Sequence, residues 1–144
     1  MRSLIVAAVV LGTALGVGSV ALAQERTPSP PGAEVYIISP KNGATVHNPV
    51  RVQFGLKGMG IAPAGIKFDN TGHHHLLIDT EAPADLNAPL PATDKIMHFG
   101  KGQTETTLTL PAGKHTLQLL LADQNHIPHQ PPVISKKITI TVAP

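Results

Sequence analysis

The chain has 144 residues with 11 Lys/Arg, 9 Asp/Glu and 8 His, and it contains no cysteine, no tryptophan and one tyrosine. The missing cysteine excludes disulfides, thiolate metal sites and a cysteine nucleophile. Charge is nearly balanced and no Lys/Arg cluster exceeds Lys136-Lys137, so the clustered cations and stacking rings of a nucleic-acid groove are lacking.

The N-terminus carries Arg2, an almost wholly apolar or small run over residues 4–22, and Ala21-Leu22-Ala23 as a small-x-small site before Gln24. This pattern predicts a secretory signal peptide over residues 1–23, and a periplasmic or secreted location for the mature chain. An uncleaved membrane anchor is the alternative, because the apolar run is long enough to span a bilayer. Cleavage leaves 10 Lys/Arg against 9 Asp/Glu and no membrane span. The remainder is long enough for one apolar core and too short for two comfortable domains. We therefore expect a single domain over 35–144.

Residues 24–34, "QERTPSPPGAE", read as a flexible or extended Pro-rich lead-in. "VYIIS" (35–39) is strand-like, and "PKNGAT" (40–45) is a turn in which Asn42-Gly43 tolerates positive φ. In "VRVQFGL" (50–56), Val50, Val52, Phe54 and Leu56 alternate with Arg51, Gln53 and Gly55, the period of a half-buried strand. Further strands are expected at "HHHLLID" (73–79), "MHF" (97–99), "TETTLTL" (104–110), "HTLQLLLAD" (115–123) and "SKKITITV" (135–142). Two long loops, 57–72 and 80–95, interrupt the spacing; loops of this length are functional or solvated connectors.

Short strands, no long helical pattern and 14 prolines predict an all-β fold. The opening "ISPKNGATVHNPVRVQF" and the ending "LPAGKHTLQLLLAD…KKITITV" resemble bacterial immunoglobulin-like domains. The expected architecture is thus an Ig-like antiparallel β-sandwich, with a β-barrel as the alternative. The predicted core comprises Val52, Phe54, Leu76, Ile78, Leu117, Leu119, Leu121, Ile138 and Ile140.

The histidines are the chemically informative residues. Strand parity places His73 and His75 on one face of "HHHLLID", and His74 with Leu76 and Ile78 on the other. His73 and His75 can therefore reach one ion together. If Met97 and Phe99 enter the core, His98 faces the same way as His73 and His75. The loop "NHIPH" (125–129), stiffened by Pro128, offers His126 and His129 as further ligands. An all-imidazole site suits Cu or Zn. His74, Asp79, Asp123 and Glu105 are candidates for supporting the ligands from behind, the two aspartates by accepting from a ring's second nitrogen. His115 reads as a rim-of-core residue and His47 as a structural or exposed turn residue. Strand-edge histidines also serve as ordinary hydrogen-bonding surface residues, and imidazole titration near neutrality allows a pH sensor.

The segments "GHHHLLID", "HFGKGQTETTLTLPAGKHTLQLLLAD" and "NHIPHQPPV" resemble a bacterial secreted family catalogued as domain of unknown function 4399, over roughly residues 55–142. The resemblance implies a small exported domain whose marked residues include His73, His74, His75, His98, Gly100, Gln103, Glu105, His126, Pro128 and His129. It implies no established activity.

No G-x-S-x-G elbow, H-E-x-x-H or phosphate loop occurs, and Ser29, Ser39 and Ser135 are not placed like nucleophiles. Glu105 fits a polar position on an alternating strand better than an acid or base beside His98. We expect no catalytic residues and a non-enzymatic role. The expected function is transition-metal binding through the histidines, the metal being the partner; the alternative is an Ig-like interaction module that binds an envelope protein or glycan through its long loops.

Overall fold

The computed structural model describes residues 25–144; the expected leader over 1–23 lies outside the described residues. Among the described residues the chain forms strands and no helix, so none is long and apolar enough to cross a membrane. The strands are β1 (Glu34–Ser39), β2 (Thr45–Val46), β3 (Val50–Lys57), β4 (Gly60–Ile61), β5 (Thr71–Ile78), β6 (Ile96–His98), β7 (Glu105–Leu108), β8 (Gly113–Ala122) and β9 (Ile138–Val142). The two-residue strands β2 and β4 were not expected from sequence, because two residues carry no periodicity to detect.

Two sheets result. One has three strands in the order β1-β3-β7; the other has the order β2-β9-β8-β5-β4, with β6 also pairing β5. Pairing is antiparallel except for β2 with β9 and β4 with β5. The period-two pattern of β3 becomes structure directly: Val50, Val52 and Phe54 are buried while Arg51 is exposed. These side chains and Val35 meet Leu76, Ile78, Leu117, Leu119, Leu121, Ile140 and Val142 of the six-stranded sheet in one apolar cluster, so the two sheets pack face to face. Of the predicted core, only Ile138 is partly rather than fully buried.

The central strands β5 and β8 do not alternate, since apart from Gln118 "HHHLLI" and "LQLLLA" are apolar or histidine on both faces. The reason is a second small core on the outer face of the six-stranded sheet. Leu77, Ile96, Leu120 and Ala122 are buried there beneath Leu90, with Ala82 and Leu86 packed alongside. The long 80–95 loop is therefore a cover for the sheet's outer face. The lead-in lies extended along residues 128–131. Ser29 N–H donates to Gln130 O (3.0 Å), Gln130 N–H to Thr27 O (2.9 Å), and Arg26 to the Pro128 and His129 carbonyls.

Leu119 is 0 % exposed at the centre of the main core. Truncating Leu119→Ala should destabilise the fold by about 2–5 kcal/mol, through lost transfer energy plus the cavity left behind. Urea unfolding of the two proteins measures this; a loss under about 0.5 kcal/mol would mean the strand's inner face is not packed as described.

Candidate metal centre

β5 supplies the floor of the site. Its pairing with β8 sets His73 opposite Ala122 and His75 opposite Leu120, and its pairing with β6 sets His75 directly opposite His98. Opposite residues on antiparallel strands project to the same side. His73, His75 and His98 accordingly share the outer face: the His73 and His75 ring centroids are 4.8 Å apart, and His75 stacks on His98 at 5.1 Å and 26°.

The fourth imidazole comes from the turn after β8. The Asp123 carboxylate accepts the N–H groups of Asn125 (2.9 Å) and Ile127 (3.1 Å), and His126 N–H donates to Asp123 O (2.9 Å). This closes a tight turn that places His126 in the left-handed region at φ 64°, a conformation that histidine tolerates better than most residues. Leu90 N–H, from the cover loop, donates to His126 O at 2.8 Å and fixes the turn from outside.

The four rings converge. One nitrogen from each of His73, His75, His98 and His126 lies within 4.8 Å of all the others. His73 Nε2 is 3.1 Å from His98 Nε2 and 3.1 Å from His126 Nδ1. A neutral ring nitrogen carries either one hydrogen or one lone pair, so it cannot complete two good N–H···N bonds at once. Ligand nitrogens about 2.0–2.1 Å from a tetrahedral ion are about 3.3 Å apart, close to both separations. Both nitrogens of buried His75, and Nδ1 of His73, have no hydrogen-bond partner in the protein. The cluster can hold a metal ion.

Burial disfavours the charged form at His73, His75 and His98. Burial, then the positive charge His126 and His98 would carry, lowers the His73 pKa to about 4. Burial, then His73, His98 and His126, lowers that of His75 to about 3. His98 is lowered by burial and by His126. No proton has to leave His73 or His75 at neutral pH before a cation binds.

The other expected site residues go elsewhere. His129 stands apart from the four: its Nε2 donates to Thr71 O at 3.1 Å, and its ring lies against Gly72 on the core side of β5, where Leu121 also sits. Beyond the bend at His126 the chain runs extended, with Pro128 bridging Ala122, and this carries His129 to the core side. Asp123 does not orient a ring; its two oxygens are occupied by the turn N–H groups and by the Thr27 hydroxyl (2.6 Å). Glu105 accepts from Arg51 at 2.6 Å on the exposed face of the other sheet, remote from His98. Asp79 accepts from His115 Nδ1 (2.6 Å) and from Thr116 N–H (2.8 Å) instead of from a cluster ring. His74 points inward, 1 % exposed, with its ring 5.1 Å from that of Phe54 and neither nitrogen bonded.

Residues 52–143 match the family described as a domain of unknown function, DUF4399. The chain belongs to this family. All four clustered histidines fall inside the matched span. No curated protein and no solved structure matches the chain.

Two predictions follow from side chains at the edge of this site. His74→Leu removes two unbonded buried nitrogens at similar volume and should stabilise the protein by about 1–3 kcal/mol, leaving metal affinity unchanged. Equilibrium unfolding beside a metal titration checks both halves; destabilisation would mean that the His74 nitrogens are bonded in solution.

His115 has acceptors at both nitrogens, Asp79 Oδ2 and Pro111 O (2.8 Å), so its protonated form is favoured. The Asp79 hydrogen bond raises its pKa against burial. Burial pushes Asp79 upward, but the bonds from His115 and Thr116 outweigh this and lower it. The raised histidine stabilises the fold below its unfolded pKa of about 6.5, and this is lost as pH rises through its folded value. The lowered aspartate stabilises above about pH 3.9. The destabilisation by Asp79→Asn should thus be largest between about pH 4 and 6.5 and shrink above it. A penalty that grows from pH 6 to pH 9 would contradict the pairing.

Proposed function

We propose that this protein is an exported bacterial binder of a transition-metal ion, copper or zinc, for storage, delivery or buffering. The observation that carries the reading is His73 Nε2, set 3.1 Å from two other ring nitrogens with the fourth ligand within 4.8 Å. The donor set supports Cu²⁺ or Zn²⁺. It consists of four imidazoles, and the chain has no thiolate to offer a softer ion. By the general affinity order for divalent ions, copper should bind more tightly than zinc. The leader pattern over 1–23 supports export.

We read the protein as a binder and not as an enzyme. Its Asp–His contact, Asp79 with His115, has the second ring nitrogen tied to the Pro111 carbonyl, so that ring has no free nitrogen to take a substrate proton. We also read the architecture as immunoglobulin-like. In chain order the first, third and seventh strands form one sheet, and the fifth, eighth and ninth lie side by side in the other, which supports that topology.

One observation favours the interaction-module reading. Ile66 and Phe68, 55 % and 70 % exposed, project from the loop after β4. A single experiment separates the two. The untagged protein is exported, purified by gel filtration, assayed for bound copper and zinc, then titrated with each. One equivalent of tightly held ion supports metal binding; no uptake with a slight excess of either ion transfers the function to the loop surface. His75→Ala and His73→Ala should each weaken binding by more than about 10-fold, because each removes one of the four ligands. Retention of wild-type affinity in both variants would remove these residues from the site.

A further inference from the structure

His98 is the exposed member of the cluster, carried on the three-residue strand β6. An exposed imidazole on a short edge strand has several rotamers open to it, yet its Nε2 is directed at His73 Nε2. The backbone just beyond it explains why this rotamer has room. A Cβ placed on Gly100 would lie 2.5 Å from His98 Cε1, 2.6 Å from His98 Nε2 and 3.2 Å from Ala64 Cβ. The first two distances are well inside van der Waals contact. Gly100 is not among the glycines of positive φ, unlike Gly102 at 83°. The position therefore calls for space, not for a conformation only glycine adopts.

The backbone at 100 cannot easily retreat. Ala64 N–H donates to Gly100 O at 2.8 Å, Phe99 N–H to His74 O at 3.1 Å, and Gly102 N–H to Phe99 O at 3.2 Å. Phe99 itself is buried against Phe54. Any side chain at 100 must then displace the softer party, the His98 ring, toward solvent.

We propose that Gly100 is a positioning residue of the metal site, which by lacking a side chain keeps the His98 imidazole turned into the cluster. This rests on the metal-binding reading above, but the ring orientation it concerns is measurable without metal. Gly100→Ala should weaken Zn²⁺ binding by about 10–100-fold, the range found when groups that orient a ligand are altered. The unfolding midpoint of the metal-free protein should stay near wild type. In a His98→Ala background the ring is gone, so adding Gly100→Ala should change affinity no further and leave only the 3.2 Å approach to Ala64 Cβ to be absorbed.

The test is a double-mutant cycle on the full exported chain, with Zn²⁺ affinity read by competition against a chromophoric chelator. Proton NMR contacts between the His98 and His73 rings are recorded in the metal-free proteins. The proposal predicts lost ring contacts and weakened binding in Gly100→Ala, with affinities of His98→Ala and the double variant equal. Unchanged ring contacts in Gly100→Ala, or losses that add in the double variant, would overturn it. If wild type takes up no zinc or copper, the metal reading falls, and the NMR contacts still decide the role of Gly100. If Gly100→Ala does not fold, the double variant must fold, since the clash is with His98; failure of both would sink the idea.

Discussion

The antiparallel pairing of β5 with β8 and β6 is the constraint on which the site depends. With a side-chain period of two, that register sends His73, His75 and Leu77 to the outer face and His74, Leu76 and Ile78 to the inner one. A slip of one residue would bring His73 and His75 into the apolar core and leave His74 alone outside. The register is held because both faces are buried. Leu76 and Ile78 fill the space between the sheets, and Leu77 with Ile96 and Leu120 fills the covered outer face. Packing on two sides thus fixes the position of polar groups that contribute little to packing themselves.

The same burial sets the electrostatics. Ala122 and Leu120 lie beside His73 and His75 on β8, and the cover loop closes the adjacent surface. Desolvation is the leading cause of the lowered pKa at His73, His75 and His98, and mutual repulsion of the rings adds to it. Four imidazoles facing one another, with both His75 nitrogens and His73 Nδ1 unbonded, are unfavourable for the protein alone and favourable around a cation. Natural proteins keep such local conflicts at functional sites and offset them in the surrounding core.

The strand parities were legible. "HHHLLID" predicted that His73 and His75 share a face opposite His74, and "MHF" predicted an outward His98; both are local properties of extended chain. The alternating core of β3 was equally plain. What local pattern could not convey was how the loops fold. His126 and His129 looked interchangeable in "NHIPH", but the left-handed φ at His126 and the turn around Asp123 send one outward and the other to the core side. Asp123 was expected to hold a ring and instead holds the turn. Asp79 meets His115 because β5 ends beside the start of β8, a long-range juxtaposition invisible in the sequence near either residue. Gly100 was among the residues marked by the family resemblance, and its part in the site acquires meaning only when the His98 ring has been placed. The cover role of 80–95 could have been suspected from Leu86, Leu90 and Ile96, which have no partner unless the sheet's outer face is apolar.

The ligands are scattered along the chain: His98 lies 25 residues from His73, and His126 lies 53 residues from it. In an unfolded chain only His73 and His75 of the four are near each other, and gathering the remaining two requires closing long loops at an entropic cost. The four-nitrogen cage comes into being when the six-stranded sheet assembles, so an ion held by all four rings would need the folded chain. Among ions of comparable affinity, the one such a cage would acquire is then decided by the compartment in which the chain folds, where local supply and not coordination preference alone would determine what fills it.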